Sequence, residues 1–173
     1  MKLKTMMVAV VVAAVLPVTA LADPATPSDK ANGARACNLL KGSMGATFTA
    51  TYATFGKCVS TWTRAEHQDR HEADAACKAE QADATFAATH GGKTFAQFYG
   101  AGKQGANALN RCSQAKAKTA AATERQATVR AAKQCKAERA LGASAFAAKY
   151  GGAAGTASAF GKCVSKLAQA QQG

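Results

Sequence analysis

Six cysteines are the residues of this 173-residue chain best placed to do chemistry. Lys57, Arg111 and Lys162 each stand directly before a cysteine, and a neighbouring cation makes a thiol more reactive. A thiol-redox protein is therefore one interpretation. The alternative is a set of structural disulfides, which an even cysteine count indicates in an oxidising compartment. The sequence holds no C-x-x-C pair, so the spacing does not indicate a zinc site built from cysteines.

Two histidines one helical turn apart form a second candidate site. The segment EHQDRHEAD places His67 and His71 at positions i and i+4, with Asp74 near the same face of a helix. Imidazole and carboxylate groups are ligands that zinc and copper accept, so these three residues are a candidate metal site. The segment lacks the H-E-x-x-H pattern of metalloproteases. Solvated helical histidines are the alternative interpretation.

A third candidate site is the segment from Arg111 to Arg139, which contains eight basic residues and only two acidic ones. A helix of this composition could bind nucleic acid, an anionic wall polymer or acidic lipid headgroups. Acidic residues outnumber basic ones by six to four between Lys57 and Asp83, so the basic helix could instead pack beside an acidic one. The candidate polyanion-binding residues are Arg111, Lys116, Lys118, Arg125, Arg130, Lys133, Lys136 and Arg139.

No motif indicates catalysis, and we expect neither an enzyme nor a bound cofactor. The segment GAGKQG at 100–105 lacks the Gly-Lys-Ser/Thr ending of a phosphate-binding loop, and we interpret it as a turn. Aromatic residues do not alternate with the basic ones, so sequence-specific nucleic-acid recognition is not expected. The formal net charge is +12, and we expect a basic binding or scaffold module.

The N-terminus has the three parts of a secretory signal peptide. Lys2 and Lys4 form its positive start, an apolar stretch spans 6–18, and Ala20-Leu21-Ala22 is a small-residue cleavage site. We expect residues 1–22 to be removed, leaving a mature protein of 23–173 in the periplasm, envelope or medium. The alternative interpretation is an N-terminal membrane anchor, but the apolar stretch is shorter than the roughly 18 to 20 residues of a membrane span and contains Pro17. We expect no transmembrane segment in the mature chain.

Three internal copies organise the mature chain. The pentapeptides at 36–40, 76–80 and 134–138 (ACNLL, ACKAE and QCKAE) begin the copies, and FGKC, LNRC and FGKC end them. Each copy contains an aromatic stretch between its two cysteines, and the units cover approximately 36–62, 76–116 and 134–167. Gly56, Asn110 and Gly161 precede the last basic residue and cysteine of each copy. We expect the chain to turn at these three positions, with an ordinary helical first turn as the alternative.

Composition predicts an all-α protein. The segments 57–89 and 106–141 are rich in helix-forming residues and should be long helices ended by Gly91-Gly92 and by Gly142. Ser28 is the expected N-cap of a shorter first helix. Much of the apolar content is alanine, and the chain has no isoleucine, so the core should be thin and should need disulfides.

Helix geometry limits the cysteine pairing. Cys58 and Cys77 lie on one predicted helix, roughly 28 Å apart at 1.5 Å per residue, while a disulfide needs Cα atoms within about 7 Å. Cys112 and Cys135 are excluded in the same way if their helix is continuous. Among fifteen connectivities, the repeat favours one bond per copy: Cys37–Cys58, Cys77–Cys112 and Cys135–Cys163. The predicted fold is therefore a set of three disulfide-stapled units, as a bundle or an elongated helical array.

The repeat also resembles a group of uncharacterised, secreted, alanine- and lysine-rich bacterial proteins built on ACKAER…AFAAKYG…AFGKCVS units. The resemblance covers most of residues 36–166 and is clearest in the third copy. It implies an exported repeat protein and implies no activity, ligand or partner.

Overall fold

A computed structural model describes residues 24–102, 104–151 and 156–172. The expected signal peptide, residues 1–22, lies outside this part of the chain. The described residues form eight α-helices and no β-strand, as the composition predicts. The helices are α1 (Pro27–Met44), α2 (Thr47–Tyr52), α3 (Phe55–Ala82), α4 (Phe86–Thr89), α5 (Phe95–Tyr99), α6 (Ala108–Leu141), α7 (Ala143–Tyr150) and α8 (Thr156–Ala170).

The four long helices α1, α3, α6 and α8 pack as a bundle in which each runs antiparallel to the next. Asp29 at the start of α1 binds Arg70, which lies just past the middle of α3. Glu66 of α3 meets Arg125 halfway along α6. Arg130 of α6 binds Gln171, just beyond the end of α8. Helix α6 packs against α1, α3 and α8. The basic segment from Arg111 to Arg139 belongs to α6 and therefore lies on the central helix of the fold.

One disulfide joins each pair of consecutive long helices. The bonds are Cys37–Cys58, Cys77–Cys112 and Cys135–Cys163, with Cα–Cα distances of 5.9, 6.0 and 6.1 Å. These are the three pairs that the repeat favours, and the pairing prediction is confirmed. All six cysteines of the chain lie among the described residues, and every one of them is fully buried.

Each disulfide encloses a short helix that carries a phenylalanine and, four residues later, a tyrosine. The ring centroids in these pairs lie 5.3 Å apart in α2, 5.0 Å in α5 and 5.0 Å in α7. Tyr99 donates a hydrogen bond to Glu80, and Tyr150 donates one to Glu138, both at 3.0 Å. Both glutamates end a C-K-A-E segment. The first copy has Leu40 at that position, and there Tyr52 accepts a hydrogen bond from Trp62 instead.

The core is divided into two clusters. The larger one combines aromatic and aliphatic side chains of α1, α2, α3, α7 and α8 with three alanines of α6, Ala127, Ala131 and Ala132. The smaller one surrounds the Cys77–Cys112 bond with Phe86, Phe95 and Ala108. Small side chains let α6 approach its neighbours closely, but each contributes little buried apolar area.

Two predicted helix boundaries are wrong. The segment 57–89 is not one helix, because α3 ends at Ala82 and α4 starts at Phe86. Asp83 adopts an extended conformation, and its carboxylate accepts hydrogen bonds from the backbone and hydroxyl of Thr85, which offers the chain an alternative to the helix. The N-cap of α1 is Thr26, not Ser28, and Thr26 forms a capping box with Asp29.

The predicted turn before each second cysteine is also wrong. Gly56, Asn110 and Gly161 all lie inside helices, as in the alternative interpretation. Thr54 caps α3 by accepting a hydrogen bond from the backbone of Lys57, so the chain is already helical when it reaches Cys58. Gly161 has a packing role instead, since a Cβ there would lie 3.0 Å from the backbone oxygen of Thr51.

Candidate functional site

The eight basic residues of the predicted polyanion-binding helix divide into two groups. Two of them, Lys116 and Arg125, are half-buried and face α3. The other six are exposed to solvent, and none of them forms an ion pair with a described carboxylate. These six residues, called here the α6 basic face, are Arg111, Lys118, Arg130, Lys133, Lys136 and Arg139.

Two carboxylates of α3 bind the half-buried pair. Lys116 lies 2.8 Å from Glu80, and Arg125 lies 3.4 Å from Glu66. The hydrogen bond from Lys116 lowers the pKa of Glu80, which keeps this carboxylate charged. For these two residues the geometry matches the alternative sequence interpretation, in which the basic helix packs beside an acidic one. The acidic helix does not reach the α6 basic face.

The two histidine rings lie close together, but one of them contacts a carboxylate and a guanidinium group that are not part of the predicted metal site. The rings of His67 and His71 lie with their centroids 4.5 Å apart. His67 Nδ1 is 3.4 Å from the carboxylate of Asp29 and 3.0 Å from the guanidinium of Arg70. Asp74 lines a cleft between α1, α3 and α6, and neither histidine is among the residues that line this cleft. Within the described residues, no group of three or more His, Cys, Asp or Glu side chains is arranged to hold a metal ion.

The cysteines offer no reactive thiol in this structure, because all six are paired. Lys57, Arg111 and Lys162 therefore precede disulfide-bonded cysteines and not free thiols. Two of these cations, Lys57 and Lys162, line a cleft on the surface of the protein.

That cleft, which the sequence did not reveal, lies between α3 and α8, both of which pack on α6. Its volume is about 960 Å³. Lys57 comes from α3, and Lys162 and Lys166 come from α8. Residues of α2 also line the cleft, and α6 contributes Glu124 and Thr128. The repeated phrase F-G-K-C was the available signal, because it gives α3 and α8 a lysine at the same position relative to their cysteines.

A second feature missed from the sequence is a set of buried carboxylates between α3 and α6. Asp69 is 7 % exposed, and its Oδ2 atom has no hydrogen-bond partner among the described residues. Burial, together with the charges of Glu124, Glu66 and Glu72, raises the pKa of Asp69 to about 7. Burial also raises the pKa values of Glu66 and Glu124.

The sequence contained a signal for these carboxylates. Glu66, Asp69 and Ala73 lie at helical spacing on the face that also carries Cys77. Because Cys77 must face its partner helix, residues one, two and three turns earlier on the same stripe are expected to be buried there.

Comparison of the chain with protein-family models, with curated proteins and with solved structures found no match. The resemblance to exported alanine- and lysine-rich repeat proteins stays a prediction from the sequence. The candidate sites are therefore defined by their own geometry: the α6 basic face, the cleft between α3 and α8, and the buried carboxylates.

Proposed function

We propose that this protein is an exported, non-enzymatic module that binds anionic polymers through the α6 basic face. The observation that carries the proposal is the exposure of six cations on one helix of 34 residues, while the carboxylates of α3 engage only Lys116 and Arg125. The two acidic residues of α6 itself form no ion pair with these six cations: Glu138 is paired with Lys149 of α7, and Glu124 is half-buried.

A polymer is the ligand that this arrangement fits best. From Arg111 to Arg139 the helix rises roughly 42 Å at 1.5 Å per residue, which is long enough to follow many charges of a linear polyanion. Binding of this kind releases counterions, so its affinity falls steeply as salt is added. The α6 sequence contains no aromatic residue on which bases could stack, which favours recognition of charge over recognition of sequence.

The disulfides support an extracytoplasmic location. Three fully buried disulfides persist in oxidising compartments and are rare in the cytosol. None of the described helices combines the length and apolar character needed to cross a membrane. We propose that residues 1–22 direct export, with cleavage near Ala22, and that the mature chain acts in the periplasm, at the envelope or in the medium.

A matched pair of variants tests the proposal. The first replaces Arg111, Lys118, Lys133 and Lys136 with Gln, which removes four charges from the α6 basic face. The second replaces four exposed lysines on other elements, Lys30, Lys41, Lys78 and Lys93, and removes the same charge. Binding to heparin and to double-stranded DNA is measured between 50 and 300 mM salt.

We expect the first variant to lose at least tenfold in affinity, with a salt slope that falls by about one for each ionic contact removed. The second variant should keep most of the affinity. Equal weakening by both variants would show that net charge alone is responsible and that α6 is not a site. A native protein with no salt dependence, or with no binding to either polymer, would also exclude the proposal.

A further inference from the structure

The cleft between α3 and α8 is chemically distinct from the α6 basic face. Its positive groups come from Lys57, Lys162 and Lys166, and none of these belongs to α6. Helix α6 contributes Glu124 and Thr128 to it, two positions on the inward side of that helix. A ligand could therefore occupy the cleft while the α6 basic face is empty, or the reverse.

Three lysines converge on this cleft from two helices. Lys162 is positioned by a hydrogen bond of 3.2 Å from its ammonium group to the backbone oxygen of Gly151. Lys57 and Lys166 are exposed, and no described carboxylate forms an ion pair with either. Glu124 is the carboxylate among the described lining residues, and its partial burial raises its pKa. The cleft therefore carries a local excess of positive charge.

The remaining polar lining consists of neutral donors and acceptors. Thr61 donates its hydroxyl hydrogen to the backbone oxygen of Lys57, which leaves the hydroxyl oxygen as an acceptor for a ligand. Ser165 and Gln169 lie on the exposed surface of α8 within the same lining, and Thr49 lies opposite on α2. Hydroxyl and amide groups of this kind pair with the hydroxyl groups of a ligand.

We propose that this cleft binds a small hydroxylated anion, namely a sugar unit that carries a phosphate or a carboxylate. The lysines would hold the anionic group, and the hydroxyl and amide side chains would hold the sugar hydroxyls. The volume of about 960 Å³ lies at the upper end of the range for small-molecule sites, roughly 300 to 1,000 Å³, and exceeds what an inorganic ion fills. The inference does not depend on polymer binding by the α6 basic face.

Titration calorimetry with four probes tests the site: glucose 6-phosphate, galacturonate, glucose and inorganic phosphate. The K57Q/K166Q variant removes two cations that form no side-chain hydrogen bond in the described structure. E124Q removes the opposing carboxylate. K133Q/K136Q removes the same charge as K57Q/K166Q from the α6 basic face and serves as the control.

We expect the native protein to bind at least one of the two sugar anions, and to bind it more tightly than inorganic phosphate or glucose. K57Q/K166Q should weaken that binding at least tenfold, E124Q should strengthen it several-fold, and K133Q/K136Q should leave it within twofold. Thermal unfolding midpoints within about 2 °C of the native protein would show that the variants are folded.

Three results would overturn the proposal. If the native protein binds neither glucose 6-phosphate nor galacturonate, the site is excluded. Equal affinity for inorganic phosphate and glucose 6-phosphate excludes recognition of the hydroxyl groups. Equal weakening by K57Q/K166Q and K133Q/K136Q shows that bulk charge, and not the cleft, holds the anion. Heparin binding by the α6 basic face can persist in every one of these cases, so the two proposals fail independently.

Discussion

Gly33 of α1 and Thr63 of α3 lie so close that a Cβ atom at position 33 would be 2.8 Å from both the backbone nitrogen and the hydroxyl oxygen of Thr63. This contact lies between the Asp29–Arg70 pair and the Cys37–Cys58 bond along the same helix pair. The contact sets the distance between α1 and α3, and therefore the geometry in which the Cys37–Cys58 bond forms.

Replacing Gly33 with Ala should therefore destabilise the protein although alanine is the better helix former. We expect a loss of about 1 to 3 kcal/mol in the free energy of unfolding, because the backbone of Thr63 must move. At Gly42 in the same helix, a Cβ would meet no atom within 4 Å, so Gly42→Ala should stabilise by up to about 1 kcal/mol. Urea unfolding of both variants gives the comparison, and the same sign for both would contradict the packing argument.

Removing any one disulfide should cost a large share of the total stability. The three bonds close loops of 21, 35 and 28 residues, for which the chain-entropy model gives about 3 to 4 kcal/mol each. We expect each double Cys→Ala variant to lower the melting temperature by about 10 °C or more, and full reduction to abolish cooperative unfolding. Circular dichroism with and without reductant measures this, and an unchanged melting curve after full reduction would contradict the expectation.

Stability should fall as the pH rises from 5 to 8, because Asp69 is harder to ionise in the folded protein than in the unfolded chain. Its folded pKa of about 7 exceeds the ordinary 3.8, so the folded state holds more protons in this window. The loss is about 1 kcal/mol per pH unit. Glu66 and Glu72 on α3 and Glu124 on α6 act in the same direction as burial, whereas Arg125 on α6 opposes it.

Asp69→Asn should flatten this slope and make the protein more stable than the native form at pH 8. Asp74→Asn removes a carboxylate from the same helix without entering the group around Asp69, and it should leave the slope unchanged. Urea unfolding at pH 5, 6, 7 and 8 distinguishes the three proteins. A native free energy of unfolding that rises over this range would show that Asp69 is charged and satisfied at neutral pH.

At acidic pH the free energy of unfolding should instead rise with pH, because of Asp29. Burial acts to raise the pKa of Asp29, but hydrogen bonds from Arg70 and Thr26 outweigh it and lower the pKa to about 2. The stability that this carboxylate supplies is complete above about pH 5 and is lost as the pH falls through 2. Asp29→Asn should cost about 2 kcal/mol at pH 6 and little at pH 2. Lys30→Gln, at the exposed neighbouring position, should show neither effect.

The sequence alone determined the helical class of this protein and favoured its cysteine pairing. The helical class follows from local propensity, because alanine-rich segments favour helix. Helix geometry excluded only pairs of cysteines far apart on one helix, and the internal repeat indicated which of the remaining pairings, such as Cys77 with Cys112, is formed. The charge excess of α6 was also visible, since it is a property of one continuous segment.

Only the tertiary structure decided which side chains face each other. The sequence could not separate Arg125, which binds Glu66, from Lys133, which is exposed, because that difference depends on which side of α6 meets α3. It could not show that Lys57 and Lys166 share a cleft, since they lie on helices separated by most of the chain. The contact between Gly33 and Thr63 illustrates the physical reason: relative helix position is set by close approach between distant residues, which local propensity and spacing do not encode.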